Sequence, residues 1–390
     1  MQTESIVKYE CEQQLKLKGP PIIIVAAVRE AEAVANACAE RNIKVSGICD
    51  SEKRKSEKPF SGLKVYHTPD LPKNFPQARF IIASQHVQEC ADQLIDLGYN
   101  EFYSPLELLK DYDVNKYKHR ISSTFMRSRL DVSRKSHEYY FDDSKTYMRS
   151  LDVMITTKCS LKCANCCNLM QYYKDAKNTS LEKINSALDV LHKNVDYISE
   201  FRVIGGEPLM NKDWANVVNS ISEKNSDAKI FIYTNGTISP KEEQLESLQG
   251  KNVNFLITDY GNLSRNIDKM IERINKYNLS FDRQLAEDWI DCSNIKHHKR
   301  STEELKEVFK QCCVKYIYTL LHGKLYRCPF IANAANLNAI PDNPANYVNL
   351  LANSDNIRHQ IRRLVKNAKF FPACDFCDGR PYDPSSKLGY

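Results

Sequence analysis

The apolar positions of the first hundred residues fall in short runs separated by stretches of helical spacing. Pro21-Ile22-Ile23-Ile24-Val25-Ala26-Ala27 is an unbroken run of the length of a buried strand, and a helix is predicted from about Glu30 to Glu40. Lys44–Cys49 predicts a second strand ending at Asp50. Phe80-Ile81-Ile82-Ala83 predicts a third, followed by a helix over Val87–Leu97 that Gly98 stops. Strands spaced by helices predict a parallel, doubly wound α/β sheet. Between about 110 and 150 the pattern lapses into charged, tyrosine-rich sequence: Asp111-Tyr112-Asp113, then Lys116-Tyr117-Lys118-His119-Arg120, then Arg127, Arg129, Arg134 and Lys135. We read it as one or two connecting helices. Strand patterning resumes at Leu151–Thr156 and returns at Phe201–Ile204, Lys229–Tyr233 and Val253–Ile257. Tyr316–Leu321 and Lys324–Arg327 flank His322-Gly323 as a β-hairpin. No internal repeat or low-complexity tract interrupts the chain.

Composition narrows the class. A length of 390 residues suits two or three domains, and 42% apolar with 27% charged residues describes ordinary globular material. The longest apolar run, Ile22–Val28, is far short of the ~20 residues a membrane helix needs. Glu4, Glu10 and Glu12 occupy the N-terminus without an apolar core behind them, which argues against a secretory signal and makes the cytoplasm the expected location. The net charge of +6 is concentrated in Lys53–Lys58 and Lys116–Lys135 rather than in a dense stripe, so solvated faces are expected and nucleic-acid binding is not.

The first strand and its turn have the layout of a dinucleotide site without its chemistry. Ala26-Ala27-Val28-Arg29-Glu30 contains no glycine, so a Cβ at each position crowds a pyrophosphate and Glu30 repels it. NAD is not expected, and Asp50 is read as a turn residue. The segment Ile22–Leu109 resembles, in pattern, the Rossmann-like domains attached to sugar-modifying and capsule-biosynthesis enzymes.

Fourteen cysteines change the picture most. Cys11, Cys38, Cys49 and Cys90 stand singly and are read as small buried hydrophobes. The other ten fall between Cys159 and Cys377, mostly in groups. Cys159, Cys163 and Cys166 form C-x3-C-x2-C in a loop after a predicted strand. Three soft thiolates on one short loop can each take one iron of a cubic [4Fe–4S] cluster, leaving the fourth iron open to a small ligand.

Here the chain resembles the radical S-adenosylmethionine (SAM) superfamily, in which the open iron chelates SAM and one electron cleaves it to a 5′-deoxyadenosyl radical. The resemblance extends to Gly205-Gly206-Glu207-Pro208, which matches the segment binding the SAM amino group, and to Thr234-Asn235-Gly236-Thr237 and Thr258-Asp259-Tyr260-Gly261 at later strand ends. It implies a partial (β/α)6 TIM-type barrel, with Gly205, Gly206, Glu207, Pro208, Thr234, Asn235 and Asp259 binding cofactor. One departure is Asn165, where the family usually has an aromatic residue; Cys167 is an extra neighbour, not expected to ligate.

The C-terminal third carries Cys312-Cys313, Cys328 and Cys374-x2-Cys377, with Gly323 in the hairpin between. This resembles the SPASM/twitch extension of radical SAM enzymes, and the small number of thiols suits the twitch form with one auxiliary [4Fe–4S] cluster. Cys328, Cys374 and Cys377 are assigned to it with either Cys312 or Cys313; a four-cysteine zinc site is the rival. Cys292 lies outside the pattern. The expected organisation is a Rossmann-like domain over 1–110, a helical linker over 111–150, the barrel over 151–300 and a cysteine-rich twitch domain over 301–390.

The resemblance to twitch-bearing dehydrogenases implies oxidation of a carbohydrate or nucleotide-sugar carbinol, with the auxiliary cluster accepting an electron and a flavodoxin or ferredoxin as reductant. Peptide modification, sugar epimerisation with Cys292 returning a hydrogen atom, and a zinc-stabilised interaction protein are the alternatives. Asp259, Tyr260, His322 and Arg202 are candidate bases, none assigned as catalytic.

Overall fold

Strand β1 (Ile22–Val25) is buried at every position because its two faces each meet a layer of helix. Ile22 and Ile24 pack with Ala31, Val34 and Cys38 on one side, and Ile23 and Val25 with Phe80, Val87 and Leu94 on the other. The strand pairs in parallel with β2 (Val45–Asp50) and β4 (Arg79–Ile82), and β3 (Val65–His67) and β5 (Phe102–Tyr103) extend the sheet in the order β3-β2-β1-β4-β5. The two flanking strands, of three and two residues, are too short to register as periodicity. The computed structural model describes residues 11–119, 123–286 and 292–380, so Glu4, Glu10 and Arg120 lie outside the described residues.

In the turn after β1 a side chain takes up one of the backbone amides. Ala26 takes a left-handed φ of 75°, and the Ala27 amide donates to Asp50 Oδ2 at 2.8 Å. Asp50 also accepts from the Glu52 amide and from Lys55 Nζ, so its carboxylate is occupied within the turn. Cys11, Cys38, Cys49 and Cys90 are all buried; burial pushes the first three up to about 12, which keeps them neutral and hydrophobic in behaviour. A 19-residue helix, Ser123–Phe141, brings His137 into the interior, where its Nδ1 faces Ser104 Oγ at 3.2 Å and its Nε2 faces the Ser84 carbonyl at 3.1 Å. A carbonyl can only accept, so Nε2 carries the proton and the Ser104 hydroxyl donates to Nδ1.

The chain divides into compact units at Met1–Lys145 and Thr146–Tyr390, so the stretch read as a linker falls largely in the first. The second unit is built on one eight-stranded sheet. Its parallel part is β6 (Tyr147–Thr156), β7 (Tyr197–Gly205), β8 (Lys229–Thr234), β9 (Val253–Asp259) and β10 (Ser280–Leu285). The C-terminal hairpin, β11 (Ile317–Leu321) and β12 (Lys324–Tyr326), does not form a sheet of its own. β11 pairs in parallel with β6, placing Thr319 beside Asp152, and β13 (Tyr347–Asn349) closes the order β10-β9-β8-β7-β6-β11-β12-β13. Phe201, Val203, Ile230, Ile232, Phe255 and Ile257 alternate along their strands into a core shared with Leu188, Trp214, Val218 and Met270 of the covering helices. The ends of four neighbouring parallel strands are thereby held side by side, each followed by a polar loop.

Candidate cofactor cleft

The first cysteine loop leaves β6 at Thr156, whose hydroxyl accepts from the Lys158 amide at 3.0 Å and donates to Asn178 Oδ1 at 2.7 Å. The turn after β7 runs against this loop backbone to backbone: Gly206 N donates to the Thr156 carbonyl at 3.1 Å and Glu207 N to the Lys158 carbonyl at 2.8 Å. A Cβ on Gly205 would lie 2.3 Å from Thr156 O. One on Gly206 would lie 2.3 Å from Lys158 O and 2.7 Å from Cys159 Cβ. The two glycines are therefore needed first by the protein's own cysteine loop, which could not come so close to any side chain.

Cys159, Cys163, Cys166 and Cys167 border one cleft of about 170 Å³ with Gly205, Gly206, Tyr233, Thr234, Asn235, Thr258 and Tyr260. Asn235 Nδ2 reaches Cys159 Sγ at 3.8 Å and donates to Ser160 Oγ at 3.1 Å, tying the loop after β8 to the cysteine loop. Ser264 Oγ donates to the Asn235 carbonyl at 2.6 Å and Asn168 Nδ2 to the Gly205 carbonyl at 3.3 Å, fixing the rim. Burial raises the Cys159 thiol to about 11 and Cys166 to about 12, so metal binding here must displace protons.

Three expected cofactor residues are placed elsewhere. Glu207 is fully buried and its carboxylate accepts from Thr234 Oγ1 at 2.9 Å, Asn235 N at 2.8 Å and Leu209 N at 3.1 Å. Its oxygens face the loop they order rather than the cleft, and burial raises it to about 7 despite those donors. Pro208, which follows it, opens a short turn of 3₁₀ helix and does not line the cleft either. Asp259 accepts from Arg283 Nε at 3.0 Å and Nη2 at 2.6 Å, a fork that holds its carboxyl below the usual range. Its neighbours Thr258 and Tyr260 take the cleft positions. Residues missed from sequence include Asn168 and Tyr233; Tyr233 could have been found from its position at the end of a predicted strand.

Of the candidate bases, Tyr260 alone lines the cleft. His322 sits at the hairpin turn with φ 50° and its Nδ1 2.9 Å from Thr179 Oγ1. Arg202 is engaged on the sheet face between β6 and β8. It donates to Asp152 Oδ1 at 2.6 Å and Oδ2 at 3.2 Å, with its guanidinium carbon 4.9 Å from the centre of the Tyr233 ring. Asp152 is fully buried, so a charged pair stands on the same sheet whose strand ends build the cleft.

The second group of thiols gathers in the same unit. Cys312, Cys328, Cys374 and Cys377 line one cavity with Phe309, Phe330, Ile331 and Arg380. Cys313 does not line it; its amide instead donates to the Arg380 carbonyl at 2.8 Å. Arg300 Nη1 grips the Cys374 and Cys377 carbonyls at 2.9 and 2.8 Å, and its own amide donates to Asp375, so the C-x2-C turn is held from outside. Cys292 is buried, within electrostatic reach of Arg380 and of Cys167, Cys377 and Cys313.

The donor set suits iron–sulfur chemistry. Among the described residues no three Cys, His, Asp or Glu side chains converge on one point as the ligands of a single ion do. A cubic cluster does not require that, because each thiolate binds a different corner. No described helix is long and apolar enough to cross a membrane.

Residues 153–328 match the Radical SAM superfamily. The chain is 30% identical over 96 residues to GTP 3',8-cyclase of Campylobacter jejuni subsp. doylei, and 35% identical over 103 residues to the probable GTP 3',8-cyclase of Methanococcus maripaludis, each alignment taking 25% of this chain. It spans only 29% and 32% of the length of these curated relatives. Among solved structures it is similar to BtrN in complex with AdoMet and 2-DOIA (TM-score 0.39, 14% identity, 60% of this chain and 94% of that one). It is also similar to SuiB of Streptococcus suis (TM-score 0.33, 12% identity, 72% and 77%). Residues 153–328 thus form a Radical SAM superfamily domain, with a [4Fe–4S] cluster and S-adenosylmethionine as its cofactors.

Proposed function

We propose that the chain is a radical SAM oxidoreductase acting on the carbinol of a carbohydrate or nucleotide-sugar. The observation that carries this reading is the presence of two thiol sets in one compact unit. Cys159, Cys163 and Cys166 border the cleft, while Cys312, Cys328, Cys374 and Cys377 line a separate cavity. Cys159, Cys163 and Cys166 would hold a cluster with one iron open, which would supply one-electron cleavage of SAM for hydrogen-atom abstraction from substrate. Cys312, Cys328, Cys374 and Cys377 would hold a second cluster, which would accept the electron released when the substrate radical loses a proton, for a net two-electron oxidation of alcohol to carbonyl.

The chain's own residues hold and shape this chemistry. Gly205 and Gly206 let the cysteine loop close against β7, and Asn235 orients the Cys159 side of that loop. Tyr260, Tyr233 and Thr258 give the cleft wall hydroxyl groups suited to a polyhydroxylated substrate. Either Cys312 or Cys313 satisfied the spacing; the cavity favours Cys312 as the fourth ligand. A flavodoxin or ferredoxin would deliver the first electron.

One observation favours a second reading. Cys292 is buried within electrostatic reach of Cys167, which borders the cleft, and of Cys377 of the second set, and a hydrogen atom returned from it to a substrate radical would give epimerisation instead of oxidation. The test uses anaerobically reconstituted full-length protein with dithionite, SAM and sugars deuterated at single carbinol positions. Oxidation predicts deuterium in 5′-deoxyadenosine and a carbonyl product, lost in Cys374→Ala/Cys377→Ala while SAM cleavage persists. Product from that variant overturns the redox role of the second set, and no SAM cleavage by the native protein overturns the whole reading. An inverted alcohol that disappears with Cys292→Ala supports epimerisation; zinc in place of iron supports an interaction protein.

A further inference from the structure

Arg380 is a buried charge that reaches both groups of thiols. It is 5% exposed, and Nη2 donates to the Cys167 carbonyl at 3.0 Å, on the loop of the first cysteine set. Its own carbonyl accepts from Cys313 N at 2.8 Å, beside the second set. Nε is buried without a partner, and no carboxylate among the described residues pairs with the guanidinium. Within electrostatic reach of it lie the thiols Cys167, Cys292, Cys328 and Cys377. It also lines the cavity that Cys312, Cys328, Cys374 and Cys377 share. Two other buried cations line that cavity and differ in being answered by carbonyls: Arg327 Nη1 donates to those of Leu364 and Val365 at 2.8 Å, and Lys315 Nζ to that of Lys310 at 2.7 Å.

A buried cation without a counter-ion is strongly unfavourable, and neutral thiols do not compensate it. An iron–sulfur cluster held by four thiolates carries a net negative charge and does. We propose that Arg380 is the counter-charge of the second cluster and a positioning residue that straps the C-terminal loop to the first cysteine loop. A fixed positive charge stabilises the more negative, reduced state, so Arg380 holds the reduction potential of that cluster up, suiting it to accept an electron. This rests on the proposal that Cys312, Cys328, Cys374 and Cys377 bind an iron–sulfur group.

The experiment starts from full-length protein carrying Cys159→Ala, Cys163→Ala and Cys166→Ala, so that only the second group gives a signal. After anaerobic reconstitution this parent should hold about four iron atoms. A parent with no iron, or with zinc, overturns the underlying reading before Arg380 is touched. Arg380→Met and Arg380→Lys are then compared with the parent by EPR-monitored redox titration. The expected result is a midpoint shifted to lower potential in Arg380→Met and close to the parent in Arg380→Lys. An unmoved midpoint in Arg380→Met overturns the proposal. Should Arg380→Met fail to load iron, Arg380→Lys decides: a loaded cluster at the parental potential supports the charge role. Failure of both to load, with native circular dichroism, assigns Arg380 to packing and overturns it.

Discussion

Replacing Gly206 with Ala tests how the cleft is built. The added Cβ would stand 2.3 Å from Lys158 O, 2.6 Å from Lys158 C and 2.7 Å from Cys159 Cβ, all backbone or backbone-anchored atoms. To reach ordinary contact the cysteine loop must retreat by about 1 Å from β7. Overpacking of this kind costs ~1–3 kcal/mol. The retreat also stretches the bonds from Gly206 N to Thr156 O and from Glu207 N to Lys158 O, each worth ~1 kcal/mol net. Because Cys159 moves with the loop, SAM cleavage should fall ~100-fold, the usual consequence of a 1 Å misplacement at a reacting centre. Gly250→Ala is the control: its φ of +75° makes it cost ~1–2 kcal/mol, but nothing lies within 4 Å of its Cβ. Iron and sulfide content after reconstitution, SAM binding by calorimetry and urea midpoints separate the two. Comparable loss of stability with iron lost from the first set in Gly206→Ala alone is expected. Full iron and unchanged SAM binding in Gly206→Ala would refute the claim that these glycines seat the cysteine loop.

Other consequences can be measured directly. His137 is buried, and desolvation lowers it from 6.5 to about 4, so the folded form resists a proton that the unfolded form accepts. Stability of the first unit should hold above pH 6.5, decline as pH falls, and lose about 3 kcal/mol by pH 4; His137→Gln should flatten that limb in urea titrations, and an unchanged acid limb would contradict it. Arg202→Met strands the Asp152 carboxylate in the sheet and should cost ~3–5 kcal/mol, much of it recovered in Asp152→Leu/Arg202→Met. A single variant costing under ~1 kcal/mol by urea unfolding would show that the pair is hydrated. Ser301→Ala removes an N-cap whose Oγ accepts from Glu304 N, and should lower stability by ~1 kcal/mol without altering iron content.

Much of the site was legible because it is local. C-x3-C-x2-C and Gly205-Gly206-Glu207-Pro208 each occupy a few consecutive residues, and the strands before them are strongly patterned. The contacts that assign roles within those motifs come from far along the chain. Glu207 is turned inward by donors 27 and 28 residues away, and Asp259 is occupied by Arg283 from the next strand. That Cys312 and not Cys313 lines the second cavity depends on walls supplied by Cys374, Cys377 and Arg380 from far along the chain, which no spacing rule encodes. The hairpin itself was legible; its parallel pairing with β6, more than 160 residues earlier, was not, because register between distant strands leaves no periodic trace.

That pairing makes the C-terminal third a permanent wall of the sheet rather than a detachable cassette. β6 carries the first cysteine loop and is clamped between β7 and β11, while β11 leads through its hairpin to Cys328. The placement of Cys328 relative to the first cysteine loop is therefore set by ladder geometry, like rungs on a common rail. A chain cut near residue 300 would leave β6 as a raw edge, and we expect it to aggregate instead of surviving as a smaller SAM-cleaving core.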